Sequence, residues 1–308
     1  MIVTDLAILY EHPAWFAPLF AALDRHGINY RAFTPDLAWD PADPVPPAPV
    51  VLNRIAMSSF LRAGDGSGGE HPIFFATALF DHWARSGARI INDAAVLAID
   101  SSKARQLSLI ASLGLAIPAT RVVHRPSDVA MTAEAIGFPL VVKANIGGSG
   151  AGITRFDNMA ELRYAIGAGE LPTSVDGVLL VQDYVPARDG TITRIETLDR
   201  RFLYAIDVAG GGAFDLCPAD ACVGDSGISM RAVKPAAELV EAAERIATAV
   251  GLDVGGIEVM VDDRDGVPRF YDINALSNFV AKPLDVLGYD PHDRLVEYLV
   301  RKIEEARG

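Results

Sequence analysis

The sequence is poor in cysteine, in basic charge and in long apolar runs. Its 308 residues include two cysteines, Cys217 and Cys222, spaced C-x4-C with no histidine nearby. That is a weak zinc signal, and two reduced structural thiols fit it better. Lysine and arginine number 27 against 40 acidic residues, a net charge of -13. Such a field repels a polyphosphate backbone at long range, so general nucleic-acid binding is disfavoured. No apolar run reaches the roughly 18 residues that a membrane span needs. The N-terminal residues carry an acid and no basic leader, so the expectation is a soluble, cytoplasmic protein without membrane association. What is present is ordinary globular material: 50% hydrophobic and 22% charged residues, with length for two or three lobes that have cores of their own. The apolar share leaves a homodimer or homotetramer open.

The first hundred residues alternate between strand and helix. An apolar strand begins at Leu6, residues 13–27 have helical periodicity closing on Gly27, and a strand resumes at Ile28. Further strands at 50–55 and 89–93, with a helix over 72–86 between them, imply a small parallel sheet and a lobe boundary near Asp100. Asn53 and Arg54 end one of these strands, where a parallel sheet meets its ligand crevice. Arg54 there suits either a clamp on a substrate carboxylate or a surface ion pair. Residues 64–70 form a glycine-rich loop of low complexity. A helix is expected over 100–114, with Lys103 in its first turn. A cation there opposes the helix dipole and serves either an anion or solvent.

The middle of the chain carries a strand ending in Lys143, then Ile-Gly-Gly-Ser-Gly-Ala-Gly, then a strand from Ile153. The glycines join strand to strand, and no Gly-Lys-Ser/Thr follows, so this is neither a Walker loop nor a Rossmann turn. It reads as a hairpin flap whose bare backbone amides at Gly148, Ser149 and Gly150 can approach phosphate oxygens beside the Lys143 charge. The strand 178–183 turns polar at Gln182 and Asp183, and Tyr184-Val185-Pro186 continues extended. Such a crossing can present amides and carbonyls to a purine edge, with Asp189 accepting from ribose hydroxyls; a plain linker would look the same. Two strands follow around Leu198-Asp199, with Arg194 able to face phosphates. Residues 209–227 have no clean period and form a candidate substrate loop.

The densest chemistry lies at 255–279. Gly-Ile-Glu-Val-Met-Val runs into the charged turn Asp262-Asp263-Arg264-Asp265-Gly266, and Arg-Phe-Tyr-Asp-Ile-Asn returns. A turn centred near Asp265 sets Glu258 opposite Asp272 within about one residue, with Asp272 and Asn274 on one face. Like charges about 4 Å apart repel by roughly 4 kcal/mol at an effective dielectric near 20. A divalent cation removes that cost, and an all-oxygen set with room for water and phosphate favours Mg²⁺. An exposed strand with solvated acids has the same pattern.

Taken together, these motifs resemble the ATP-grasp superfamily of carboxylate–amine ligases over essentially the whole chain. The glutamate-adding peptide ligases and the carrier-protein ligases of lysine biosynthesis are nearest in pattern. The resemblance implies an α/β fold with a pre-ATP-grasp domain over 1–99, a central lobe over 100–185 with the flap, and a C-terminal lobe over 186–308 with the metal site. It implies that Lys103 and Lys143 contact the phosphates of ATP and that the Gly148–Gly152 flap, with Gly148, Ser149 and Gly150, covers them. Gln182, Asp183, Tyr184 and Val185 would hold adenine, Asp189 the ribose, and Glu258, Asp272 and Asn274 two Mg²⁺ ions. Arg194 falls near the family's phosphate-facing arginine, and Asn278 near the substrate. Asp272 departs from the family's usual Glu, and Ala-Leu-Ser-Asn-Phe from its commoner Pro-Gly. The implied activity is ADP-forming ligation through an acylphosphate, with amino acid, peptide or carrier-bound substrates. A small-molecule kinase and a non-catalytic nucleotide-binding protein are the alternatives.

Overall fold

Three sheets follow one another along the chain, each built from a different pattern of side chains. The structure is a computed structural model that describes residues 4–55, 72–147, 152–210 and 228–308. The first sheet has strand order β2-β1-β3-β4, all parallel: β1 (Leu6–Tyr10), β2 (Tyr30–Phe33), β3 (Val50–Arg54) and β4 (Arg89–Ile91). Strands β1 and β3 are apolar almost throughout because helices cover both faces of a parallel sheet. Helix α1 (Pro13–Arg25) packs on one face and α2 (Pro72–Arg85) on the other.

The helix expected over 100–114 forms over Lys103–Ser112, and a separate helix precedes it. Helix α3 (Ala94–Asp100) starts on an Asp93 cap that receives the Ala95 and Val96 amides; α4 (Lys103–Ser112) starts afresh on Ser102, whose hydroxyl receives the Arg105 amide. A serine that can cap in an extended conformation competes with helix continuation at that position.

The second sheet, antiparallel in order β5-β8-β6-β7, contains β5 (Thr120–Val123), β6 (Leu140–Ala144), β7 (Ile153–Phe156) and β8 (Leu179–Asp183). Helices α5 (Val129–Ile136) and α6 (Met159–Ala168) share its core. Strands β6 and β7 pair from Leu140↔Phe156 to Lys143↔Ile153, so the glycine-rich segment does join a hairpin. Gly148, Ser149 and Gly150 lie outside the described residues, as do Cys217, Cys222 and the loops at 64–70 and 211–227.

The third sheet, order β11-β10-β9-β12-β13, is antiparallel: β9 (Thr191–Leu198), β10 (Arg201–Ala209), β11 (Ser229–Val233), β12 (Val254–Val261) and β13 (Pro268–Asn274). One face carries Ile195, Ile257 and Ile273 against α7 (Ala237–Val250). On the other, Ile192, Tyr204, Ile206 and Val254 share a core with the first sheet, α1 and α9 (Pro291–Arg307), while the middle of that face is polar. The short helix α8 (Pro283–Val286) lies between β13 and α9. A link between the first and third sheets runs through buried Asn92, whose amide group bonds the backbone of Asp253, Val254 and Ala275. Among the described residues, no helix is long and apolar enough to cross a membrane.

Candidate functional site

The polar face of the third sheet is a two-row grid set by strand register. Arg194, Glu258 and Asp272 stand side by side in one row; Glu196, Gly256 and Asn274 form the next. Register therefore delivers both hairpin acids to one place. The two rows are tied by Arg194, which donates from Nε to Glu196 Oε1 at 2.6 Å and from Nη1 to Glu258 Oε1 at 3.1 Å. Asn274 Nδ2 reaches the same Glu258 oxygen at 3.2 Å. Gly256 lies under the Arg194 guanidinium: a Cβ there would sit 2.5 Å from Nε and 2.7 Å from Cζ. The glycine of the Gly-Ile-Glu motif is needed for that close approach.

Alternation alone does not predict what happens next on β13. Glu258 pairs with Asp272 but Val259 with Phe270, so Tyr271 is an extra residue in a β-bulge. Phe270 and Ile273 both enter the core against α7, and Tyr271 joins Asp272 on the open face. There its hydroxyl bonds Glu258, and its ring centroid lies 5.8 Å from Lys143 Nζ. Tyr271 and Glu196 are site residues that sequence reasoning missed. The signal for Tyr271 was present: Phe270 and Ile273, both apolar, are three apart rather than two.

Both lysines arrive from the other side. Lys103, first residue of α4, places Nζ 2.8 Å from Asp272 Oδ1. Lys143 projects from β6, and Asn145 fastens the end of that strand to α4: its Oδ1 receives the Ala104 amide at 2.9 Å, its carbonyl the Lys103 amide at 3.2 Å. Electrostatics record the crowding. Burial and then Asp272 push Glu258 above its ordinary pKa, against the pull of Arg194, Tyr271 and Lys103. Burial and the Lys103 charge bring Lys143 down to about 8. Burial opposes the Lys103 charge as well, but Asp272, Glu258 and Asp100 together outweigh it and hold that lysine above its ordinary value.

The crossing after β8 is braced by side chains rather than open. Gln182 Nε2 donates to Thr120 Oγ1 at 2.8 Å, and the Asp183 carboxylate is held by the Arg264 fork, which also grips buried Asp262. Those two side chains are committed, so a ligand there would meet backbone. Tyr184 stacks under Arg155 with 4.1 Å from Cζ to the ring centroid, Val185 is buried, and Asp189 is exposed at φ 55°.

Arg54 and Asn278 fall elsewhere. Arg54 is no surface ion pair: it is 1% exposed, and its Nη1 and Nη2 have no hydrogen-bond partner among the described residues. Asn278 lines a cavity of about 360 Å³ with residues of α1, α8 and α9, including Arg25, Lys282 and His292.

Two facing acids, a lysine paired to one of them and a second lysine nearby are thus brought to one place. Residues 100–285 match the RimK-like ATP-grasp domain, and the chain belongs to that family of ATP-dependent carboxylate–amine ligases. A probable alpha-L-glutamate ligase of Serratia proteamaculans (strain 568) is 27% identical over 234 residues, 74% of this chain and 73% of that protein. A ribosomal protein bS6–L-glutamate ligase of Shigella boydii serotype 4 (strain Sb227) is 28% identical over 209 residues, 66% and 64% of the two chains. Among solved structures, the ATP-grasp ligase PsnB complexed with a phosphomimetic variant of its minimal precursor, Mg and ADP has a TM-score of 0.69 at 15% identity over 97% and 99% of the chains. D-alanine–D-alanine ligase from Bacillus anthracis complexed with ATP has a TM-score of 0.68 at 15% identity over 100% and 99%. These two structures bear on the fold.

Proposed function

We propose that the protein is an ADP-forming amino acid or peptide ligase that binds Mg·ATP between the second and third sheets. The reading rests above all on Glu258 facing Asp272 with Lys103 standing on the pair. The donors fit Mg²⁺: two carboxylates and an amide, all oxygen donors, with the ammonium as a stand-in for the ion. Among the described residues no group of three or more His, Cys, Asp and Glu gathers, so phosphate oxygens and water would complete the coordination, as Mg²⁺ prefers. Glu258, Asp272 and Asn274 would hold two ions, which supply charge neutralisation at the transferring phosphoryl group.

The chain's own residues do the positioning. Lys103 and Lys143 hold the polyphosphate; the backbone from Gln182 to Val185, beside Tyr184, receives adenine and Asp189 the ribose. Arg194, anchored on Glu196, faces the γ-phosphate. A substrate carboxylate oxygen attacks the γ-phosphorus and ADP leaves. An amine nitrogen then attacks the acyl carbon, losing a proton as phosphate departs. The names of the relatives put L-glutamate first among amino acids to try, joined to a peptide or protein chain.

Hydroxylamine is the direct test: with Mg·ATP and candidate acids, the ligase reading expects ADP release and a trapped hydroxamate. A stable phosphorylated product, or no nucleotide uptake at millimolar concentration, would overturn it. The lowered Lys143 gives a second expectation. Its ammonium is needed for phosphate, so kcat/KM for ATP should fall as pH rises through about 8, and Lys143→Arg should remove that limb from the accessible range.

Gly256→Ala reaches the site through Arg194. Its methyl would strike the Arg194 guanidinium, which is buried and bonded to Glu196 and Glu258, so that group must shift and strand a buried carboxylate, at about 1–3 kcal/mol. ADP release should fall by about 100-fold, the scale of a misplaced catalytic group. Gly255→Ala should act on the backbone instead, because its methyl would meet the Asn274 carbonyl oxygen at 2.5 Å and force the strands apart.

A further inference from the structure

Buried polar atoms are almost always paired, and a buried guanidinium without an anion is among the costliest exceptions. Two such exceptions lie on packed sheets here: Val50 and Leu52, alternating with Arg54 along β3, share a core with Tyr204, the register partner of Glu196. Arg54, the last residue of β3, is 1% exposed and Glu196, on β9, is 1% exposed; among the described residues both Arg54 terminal nitrogens and Glu196 Oε2 have no hydrogen-bond partner. Glu196 spends only Oε1, on Arg194. The two side chains belong to different sheets and feel each other's charge, but no hydrogen bond joins them. Uncompensated burial brings Arg54 down to about 10, with Glu196 as the one charged group opposing that fall. Arg194 links Glu196 directly to Glu258, so this second site lies one side chain away from the acids of the nucleotide site.

What fits three orphaned atoms of this kind is a small zwitterion. A guanidinium fork offers two parallel N–H donors at the spacing of a carboxylate, and a free carboxylate oxygen accepts from an ammonium. A peptide bond or an uncharged hydroxyl would leave at least one charge unanswered, at a cost that discriminates strongly against such ligands. We propose that Arg54 and Glu196 form the subsite for the backbone of a free α-amino acid, its α-carboxylate on the Arg54 fork and its α-ammonium on Glu196 Oε2. The proposal rests on the ligase reading and deepens it. One of the two substrates is a free amino acid recognised by its own α-groups, and the partner substrate carries the other reacting group. If the amino acid is the amine, its ammonium first gives one proton to Glu196 Oε2, the neutral nitrogen attacks the acyl carbon, and its second proton leaves with the departing phosphate.

The experiment uses the full chain with Mg and the non-hydrolysable analogue AMPPNP, titrated calorimetrically with L-glutamate and a panel of other free L-amino acids. Each amino acid that binds is compared with its α-amide. Native protein should bind the free acid at least 30-fold more tightly than the amide. In Arg54→Gln that ratio should collapse to near one, because the variant has already lost what the amide lacks, while affinity for AMPPNP stays within about twofold. Glu196→Gln should weaken the free amino acid and spare its N-acetyl derivative. If Arg54→Gln does not fold, the native comparison of acid, amide and N-acetyl forms decides alone. Equal binding of all three, or an unchanged ratio in Arg54→Gln with only a lower unfolding midpoint, would make the pair structural and overturn the proposal. Failure of any free amino acid to bind would also overturn it, and the ligase reading would survive that result if ADP were still released with peptide substrates. Absence of AMPPNP binding would sink the ligase reading instead.

Discussion

Glu258→Gln is expected to lower Mg-dependent ADP release by about 100- to 1000-fold, the scale of removing one group that stabilises charge in the transition state. The nucleotide-free protein should be at least as stable as before. The second half of that expectation follows from the grid. Arg194 and Asn274 both donate to Glu258 Oε1, and a glutamine oxygen still accepts from both. What the variant loses is a negative charge raised in energy by burial and by Asp272 beside it. Because the folded-state pKa of Glu258 lies above its unfolded value, the folded protein binds the extra proton, and stability falls as pH rises through that interval. Above it the whole penalty is present. The stability gain of Glu258→Gln should therefore be largest near neutral pH and vanish in acid, where the native glutamate is protonated as well. Asp272→Asn should behave differently despite similar catalytic loss. Asp272 is the partner of Lys103, and both are largely buried, so the amide strands an ammonium and should cost about 1–3 kcal/mol of stability. Urea unfolding beside an ADP-release assay reads both quantities. A Glu258→Gln enzyme with native turnover would remove the metal role from this hairpin.

The contrast shows which parts of the site are legible in sequence and which are not. Local periodicity and turn chemistry announce elements, so the hairpin turn near Asp265 was enough to set Glu258 against Asp272, and the glycine-rich join between β6 and β7 could be read from Lys143 to Ile153. Contacts between elements distant in sequence leave no such trace. Nothing in the isolated string Lys-Ala-Asn says that Asn145 will cap the approach of α4, and nothing near Arg264 says it will clamp Asp183 across the crossing. Arg54 was placed correctly at the mouth of a parallel sheet, but its burial depends on what packs over β3. The helix over 100–114 was legible because Ser102 caps its start and Gly114 follows its end, whereas the short helix α3 just before it was not read from the sequence. Tyr271 is the intermediate case, since the bulge that exposes it shows as a break in apolar spacing but names no direction for the phenol.

Asn92→Ala should be the most destabilising single change outside the hydrophobic core, by about 4 kcal/mol or more. Asn92 is 1% exposed and sits at φ 54°, just past the end of β4. Its Nδ2 donates to the carbonyls of Val254 at 2.6 Å and Ala275 at 2.7 Å; its Oδ1 accepts the amides of Asp253 at 2.9 Å and Val254 at 3.3 Å. Alanine orphans four buried backbone groups at about 1–3 kcal/mol each, partly relieved by water, and is strained in the left-handed region. Asn92→Gly removes the strain but not the orphans, so it should recover only about 1 kcal/mol of the loss. Asn92→Asp should be worse than glycine, because an added carboxylate cannot donate to the two carbonyls and would stand beside the Asp253 carboxylate, which already receives the Asn92 amide at 2.8 Å. The effect should reach the site as well. Ala275 follows Asn274 directly, and its amide is anchored on Asp100 at 2.7 Å, so the end of β13 is held between Asn92 and Asp100. Once one hold is cut, Asn274 drifts relative to Glu258, and the Mg concentration for half-maximal ADP release should rise in whatever fraction of Asn92→Gly remains folded. Variants within about 1 kcal/mol of the native midpoint would mean that the first and third sheets are joined by apolar packing alone, and that the register of the metal hairpin owes nothing to the lobe behind it.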